Sequence, residues 1–360
     1  MKPLDLNNPI IKNDMDQIKK SNLNWGQLRG KSIFISGATG MIASYLTLFF
    51  IYLNESNDFG IKLYLNCRSF EKAKQRFGDY LKRDYINVID RNIISKFEIK
   101  ENINYIIHAA SLASPQYYNV SPVETALPNI IGTYNLLEFA KEQHDFNGFL
   151  FFSSGSVYGN TTSMDGIKES DIGILDFLNN GNSYAESKRC GEMLCHAYWS
   201  EYNIPAKSVR IHHTYGPNMD YRTDKRVFSE FVCNCIDEKD IIIKSDGAAK
   251  RAFCYISDTI SGLFFVLLNG ENGESYNLGN PFCYYSIAEL ARLLVNISEQ
   301  KNKVVFSKRM NESYCPSPES DLRNDPVNIE KIKGLGWNPI VSGELGFQNV
   351  LNYINDYDKR

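Results

Sequence analysis

The chain has 360 residues, of which 43% are hydrophobic and 22% charged, with a formal net charge of −3. That composition excludes a disordered or fibrous chain, and the mild negative balance argues against a broad nucleic-acid surface. The length suits one large domain or two fused ones. Aromatic residues reach 13%, enough to fill a large core or to line a ring-binding cleft. Cysteines stand at 67, 190, 195, 233, 235, 254, 283 and 315. The closest pair, Cys233 and Cys235, lacks the two-residue gap of a redox or zinc pair, so no metal site is expected. Scattered thiols and an N-terminus without a signal-peptide core make a reduced, cytoplasmic protein the expectation. The longest apolar run, from Met41 to Leu53, contains Ser44, Tyr45 and Thr47 and is too short to cross a membrane, which takes about 20 residues; it reads as a buried helix.

Residues 1–27 are polar and rich in Asn and Lys, with a weak helical pattern over 15–23. They read as an N-terminal extension packed on the outside. Short apolar strands are predicted at 31–36, 61–65, 85–89, 105–108, 148–153 and 206–212. Helices are predicted at 70–82, 122–143 and 184–202, and a long one follows Gly37. Strands alternating with helices define an α/β fold with a doubly wound parallel sheet, ordered as a Rossmann domain. The alternation breaks after Gly216-Pro217. The expected division is an extension over 1–27, a dinucleotide-binding domain over 28–215 joined by part of 250–280, and a smaller substrate-binding lobe over most of 216–360. The prolines of 310–326 mark a loop.

Gly37-Ala-Thr-Gly40-Met-Ile-Ala43 lies between the first strand and its helix. Glycines there permit a tight turn and close approach of backbone to a pyrophosphate, and the helix N-terminus adds free N–H groups. The third glycine of the spacing is Ala43, a mild change at a position that serves helix–strand packing. The second strand ends Asn66-Cys67-Arg68, without the acid that would bond an NAD ribose. Arg68 could pair a 2′-phosphate and so keeps NADP open; it could also stack on adenine or stay solvated. Asp90 could accept from the adenine amino group or serve as a surface turn residue.

Tyr184 and Lys188 are one helical turn apart on one face. An ammonium beside a phenol is expected to lower its pKa from about 10, so that it takes a proton from a sugar hydroxyl. Ser153-Ser154 ends the preceding strand, and Ser154 can hydrogen-bond both the phenol and a substrate oxygen.

With these pieces in place, the chain resembles an extended short-chain dehydrogenase/reductase of the nucleotide-sugar epimerase/dehydratase family. Besides the glycine turn, Ser154, Tyr184 and Lys188, the likeness rests on His108-Ala-Ala-Ser111, Asn129-Ile-Ile-Gly-Thr133, Val157-Tyr-Gly159, Arg210 with Tyr215-Gly-Pro217, Arg226-Val-Phe228, Arg251 to Asp258, Tyr276-Asn-Leu-Gly279 and Leu335-Gly-Trp337-Asn-Pro339. The resemblance implies catalysis by Ser154, Tyr184 and Lys188. It implies a tightly held NAD, or NADP, contacted by Gly37, Thr39, Gly40, Met41, Ile42, Arg68, Asp90, Ala109, Ala110, Ser111, Tyr184 and Lys188. It implies a UDP-sugar contacted by Ser114, His213, Arg226, Arg251 and Arg323. Taken singly, an arginine is more often half of a surface ion pair. The resemblance also implies a homodimer built on 122–143 and 184–202, with Leu136, Leu137, Phe139 and Ala140 as interface or core positions. Neither nucleic acid nor membrane is an expected partner.

Several stretches look closest to UDP-glucuronate decarboxylases, with two departures. Decarboxylases and 4,6-dehydratases place acids shortly after the catalytic hydroxyl, where this chain has Gly155 and Ser156. The family's Asn before Tyr-Gly-Pro is His213, which could contact phosphate, act as an extra acid or base, or simply pack in place of Asn. The retained set suffices for hydride transfer at a sugar carbinol. A nucleotide-sugar 4-epimerase acting on a UDP-hexose or UDP-uronate is the expectation. A decarboxylase or dehydratase with a recruited acid, a net dehydrogenase or ketoreductase, and a non-catalytic nucleotide-binding module are the alternatives.

Overall fold

The structure is a computed structural model that describes residues 3–96, 99–161, 163, 165–298, 300–307 and 326–358. Arg323, expected to touch a diphosphate, lies outside the described residues, as does most of the 310–326 stretch. In chain order the first elements are α1 (Pro9–Lys19), β1 (Ser32–Ser36), α2 (Met41–Asn57), β2 (Lys62–Cys67), α3 (Phe70–Phe77), β3 (Ile86–Asp90), β4 (Tyr105–His108), α4 (Pro122–Lys141), β5 (Gly148–Ser154), α5 (Ser183–Tyr202) and β6 (Ala206–Ile211). Then follow β7 (Thr214–Tyr215), α6 (Val227–Ile236), β8 (Ile241–Ile243), β9 (Lys250–Ala252), β10 (Cys254–Tyr255), α7 (Ile256–Asn269), β11 (Ser275–Leu278), β12 (Tyr284–Ser286), α8 (Ile287–Ser298), β13 (Val304–Phe306), α9 (Glu330–Lys333) and α10 (Gly343–Asp358).

Seven strands form one sheet in the order β11-β6-β5-β4-β1-β2-β3. Every neighbouring pair in it is parallel, the register running Ile33 against Leu63 on one side and Tyr105 on the other. Ile33, Phe34 and Ile35 are all fully buried, as expected of a strand covered on both faces. Ile33 and Ile35 join the apolar layer that includes α2 and α7, and Phe34 joins the one that includes α4 and α5. The strand order reverses between β1 and β4, so a crevice opens at the carboxyl ends of the central strands.

The C-terminal stretch adds three two-stranded ribbons, β7 with β10, β9 with β12 and β8 with β13. Among the described residues no helix is long and apolar enough to cross a membrane, and no cluster of three or more His, Cys, Asp or Glu side chains could hold a metal ion.

Three expectations need correction. The N-terminal helix starts at Pro9, earlier than the 15–23 pattern, because Asn8 caps it by accepting from the amides of Ile10 (3.0 Å) and Ile11 (3.2 Å) and proline suits the first helical position. Nor is the extension only an outer layer. Ile11, Met15 and Ile18 are buried, and the Asp14 carboxylate accepts from Tyr45 of α2 (2.6 Å) and Tyr255 of β10 (3.0 Å). The helix predicted over 70–82 stops at Phe77, where Gly78 takes φ +52°; the chain continues to Lys82 as 3-10 helix.

Candidate active site

The turn after β1 is shaped by contact. Gly37 has φ +64°, and a Cβ there would lie 2.7 Å from Cα and 2.8 Å from N of Ala110. Only glycine accepts both conditions. Gly40 then caps α2 with no side-chain hydrogen bond, which leaves the first amides of the helix open to a ligand. The loop after β4 is held against this turn by His108. Its Nε2 faces the carbonyl of Pro128 (3.1 Å) and so carries the proton, and its Nδ1 accepts from Ser36 Oγ (2.6 Å). Ser36 Oγ in turn accepts from the amides of Ala109 (3.1 Å) and Ala110 (3.2 Å). Burial drives the His108 pKa down to about 3, so the imidazole stays neutral and this chain of bonds persists at neutral pH.

The arrangement fits a dinucleotide. Besides the glycine cradle and the open helix end, the Ser111 hydroxyl is buried and has no partner among the described residues. Thr39, Met41 and Ile42 are half-buried around the turn. Arg76 donates to the carbonyls of Thr39 (3.3 Å) and Asn218 (3.0 Å), and Asn218 donates to that of Met41 (2.7 Å), tying the turn to the chain beyond β7. At the edge of the crevice Arg68 is exposed. Asp90 is also exposed, and its carboxylate accepts from the amide of Phe70 (3.1 Å) at the start of α3, a local structural task.

Ser154, Tyr184 and Lys188 come together at the carboxyl end of β5. Tyr184 hydrogen-bonds Ser154, whose Oγ also accepts from Ser156 N (3.2 Å) and Oγ (3.0 Å). The Tyr184 ring lies parallel to that of Tyr118, with centroids 4.8 Å apart. The Lys188 ammonium donates to the carbonyl of Phe152 (2.5 Å) and sits 4.7 Å from the centre of the Phe151 ring. One electrostatic expectation fails here. Burial dominates the Tyr184 phenol and pushes it up to about 12, with only the Ser154 hydrogen bond opposing. Lys188 exerts no comparable pull, because its head points at the strand carbonyl, 5.6 Å from the centre of the phenol ring. Burial lowers the ammonium itself to about 7, while Glu192 and Cys195 act to raise it.

The candidate substrate residues are more dispersed. Ser114 is half-buried just before the 3-10 turn at Pro115–Tyr117. His213 is exposed, edge-on to Phe253 at 6.0 Å. Arg226 makes an ion pair with Asp224 (2.9 Å) and lies over the Phe228 ring at 4.9 Å. Arg251 donates to the carbonyl of Lys250 (2.6 Å). Leu136, Leu137, Phe139 and Ala140 are all buried core.

The neighbouring His212 escaped the sequence reading. A Cβ on Gly155 would lie 2.7 Å from its Cε1 and 2.9 Å from its Nδ1, so the imidazole occupies the space a side chain at 155 would need. The ring hydrogen-bonds Asn277, while its buried Nε2 has no partner. Asn277 spends both amide hydrogens on the carbonyls of Ile167 (2.9 Å) and Asn328 (3.0 Å), leaving its oxygen for Tyr158 OH (2.6 Å) and the imidazole. Nδ1 therefore carries the proton and Nε2 the free lone pair. Burial lowers this histidine to about 4 and keeps it neutral.

A sheet that reverses at β1 and β4, a glycine cradle and a Ser–Tyr–Lys cluster define a dinucleotide-dependent oxidoreductase-type site. Residues 33–279 match the model of the NAD dependent epimerase/dehydratase family, and the chain belongs to that family. NAD is the cofactor that membership brings. UDP-glucuronic acid decarboxylase 5 of Arabidopsis thaliana is 30% identical over 312 residues, 86% of this chain and 85% of that protein. UDP-glucose 4-epimerase from Thermotoga maritima has a TM-score of 0.75 at 22% identity, covering 91% of this chain and 99% of that one. UDP-glucuronic acid 4-epimerase from Bacillus cereus, solved with UDP-glucuronic acid and NAD, has a TM-score of 0.71 at 22% identity over 91% and 99% of the two chains. At such identities the two solved structures speak for the fold alone.

Proposed function

We propose that the protein is a nucleotide-sugar 4-epimerase that acts on a UDP-hexose or UDP-uronate by transient oxidation at C4. One observation carries this reading: Ser154, Tyr184 and Lys188 meet at one point, while the next two positions, Gly155 and Ser156, hold no carboxylate. Oxidation of a carbinol needs one base and a hydroxyl to share its proton; elimination or loss of carbon dioxide needs further groups. The named relatives act on nucleotide sugars, which supports the substrate class.

In this reading Gly37 and the first amides of α2 hold the cofactor's pyrophosphate, with Thr39, Met41, Ile42, Ala109, Ala110 and Ser111 around it. Bound NAD supplies the acceptor and donor of hydride at the sugar C4. Tyr184, once ionised, would take the proton of the C4 hydroxyl to become the neutral phenol, and would return it when the 4-keto group is reduced. Ser154 orients the phenol, and Tyr118 shields one face of it from water. Lys188, turned from the Phe152 carbonyl towards the phenol, would stabilise the phenolate before it takes that proton and would bind the nicotinamide ribose. Arg226 and Arg251 take the diphosphate, for which Arg226 gives up part of its pairing with Asp224. The lobe over most of 216–360 carries the nucleotide, and two copies associate through α4 and α5.

Purified protein incubated with UDP-glucose or UDP-glucuronic acid is expected to form the 4-epimer, read by proton NMR. Tyr184→Phe is expected to cut turnover by about 10²–10⁴-fold while NAD stays bound. The proposal falls if no 4-epimeric pair among UDP-sugars interconverts. His212 favours a second reading, a decarboxylase or dehydratase, because its free lone pair lies beside the position that lacks the acid. Carbon dioxide released from UDP-glucuronic acid, or a 4-keto-6-deoxy product, would decide for it.

A further inference from the structure

Lys188 is 2% exposed, and burial works against its charge. The nearest help comes from its own helix, where Glu192 lies one turn further on the same face. That carboxylate is held firmly. It accepts from Ser153 Oγ, from Arg210 Nε (3.0 Å) and Nη2 (2.8 Å), and from Ser275 Oγ (3.1 Å). Arg210 is fixed in turn by Tyr158 OH (2.9 Å) and the carbonyl of Glu169 (2.8 Å). Among the described residues, the other titratable groups around Lys188 are Tyr184 and Cys195 on α5 and the neutral His108 at the end of β4. β5 presents the Phe151 ring and the Phe152 carbonyl to Lys188, and Asn129 of α4 donates to the adjoining Ser187; none of these groups is charged. Glu192 is thus the negative group that acts on Lys188, and Arg210, from β6, is the positive group that offsets it.

We propose that Glu192 is a positioning residue that keeps Lys188 charged, and that Arg210 sets how strongly it does so. The importance of this for turnover rests on the proposed role of Lys188 beside Tyr184; the electrostatic coupling itself does not. Replacing Glu192 by Gln removes the negative neighbour and leaves the Arg210 charge uncompensated, and both changes favour the neutral amine. Replacing Arg210 by Gln leaves Glu192 uncompensated and favours the ammonium. Opposite signs from two partners of one ion pair are the signature of charge rather than of packing.

The test is the titration of the Lys188 side chain by carbon-13 NMR of the NAD-loaded protein, the signal assigned by its loss in Lys188→Met. Glu192→Gln is expected to move the midpoint down by ~1 pH unit and Arg210→Gln to move it up. Glu192→Asp should return it towards the wild-type value, and Ser275→Ala, which changes no charge, should leave it in place. The alkaline limb of the turnover profile should follow the same two directions. Shifts of one sign in both variants, or none in Glu192→Gln, overturn the proposal. If Arg210→Gln fails to fold, the Gln and Asp variants at 192 decide by themselves. Normal titration shifts in a protein that turns over no nucleotide sugar would instead defeat the proposed function.

Discussion

A methyl group at position 37 would lie 2.7 Å from Cα of Ala110, on a backbone with φ +64°. The left-handed conformation alone costs a residue with a side chain about 1–2 kcal/mol, and relief of the contact pushes the loop after β4 away from the turn. Gly37→Ala is therefore expected to weaken NAD retention by at least about tenfold, since about 1.4 kcal/mol is one decade. Nucleotide released from the denatured variant, assayed by mass spectrometry, checks this; an undiminished yield of NAD contradicts it. The reason Gly37 was legible in the sequence is that its neighbours in the chain define the turn. Ser154, Tyr184 and Lys188 were legible for the same reason, through a strand end and a helical spacing. His212 was not, although parity offered a signal. It stands two residues after Arg210, and alternation along an extended chain puts 210 and 212 on one side and His213 on the other. Both Arg210 and His212 indeed meet the Tyr158–Asn277 cluster, while His213 is exposed.

α1 shows what a single buried polar group does for an element. Its Asp14 carboxylate is 1% exposed and accepts two phenols, Tyr45 from α2 and Tyr255 from β10. Burial raises its pKa from 3.8 to about 7, against the lowering effect of those two hydrogen bonds. The unfolded chain gives up this proton near pH 4 and the folded one only near 7. Between those values the folded state holds more protons, so stability falls as pH rises, and the penalty is complete above about pH 7. A rise of that size corresponds to about 4 kcal/mol, an upper figure for one buried group. Asp14→Asn keeps an acceptor and removes the charge. Its melting temperature relative to wild type is expected to climb between pH 5 and pH 8, read by calorimetry at both values; a difference independent of pH would falsify this account of the docking. The element scale also marks where sequence reading stops. Strands such as Tyr105–His108 and Gly148–Ser154 announce themselves by apolar runs. The start of α1 was set by Asn8 and Pro9 rather than by hydrophobic spacing, and the Asp14–Tyr255 bond spans 241 residues, a pairing no local pattern encodes.

At the scale of the molecule, the layer formed by α4 and α5 is unequal on its two sides. Inward, Leu136, Leu137, Phe139 and Cys195 are buried in the core. Outward, Val123 is 59% exposed, Ile131 38%, Tyr134 46% and Met193 55%. On α4 the exposed positions 123, 131 and 134 follow helical spacing, so they form one stripe, and the neighbouring α5 adds Met193 beside it. A second copy of the same face is the occupant that suits a stripe of this kind, because two identical helix pairs pack face to face around a two-fold axis. The site depends on the same two helices, since Tyr184 and Lys188 lie on α5 and Asn129 of α4 donates to Ser187 (2.9 Å) between them. Association would thus stiffen the helix that carries the phenol. The expected mass in solution is twice the 41.1 kDa of the chain, read by light scattering on a sizing column. Ile131→Glu with Met193→Lys places two charges in the stripe without touching the inward face. The double variant should run as a folded monomer with an unchanged circular dichroism spectrum. Because Glu and Lys could pair across the axis, the single variant Met193→Lys serves as the control, and a dimer that survives both charge placements would move the association to another surface.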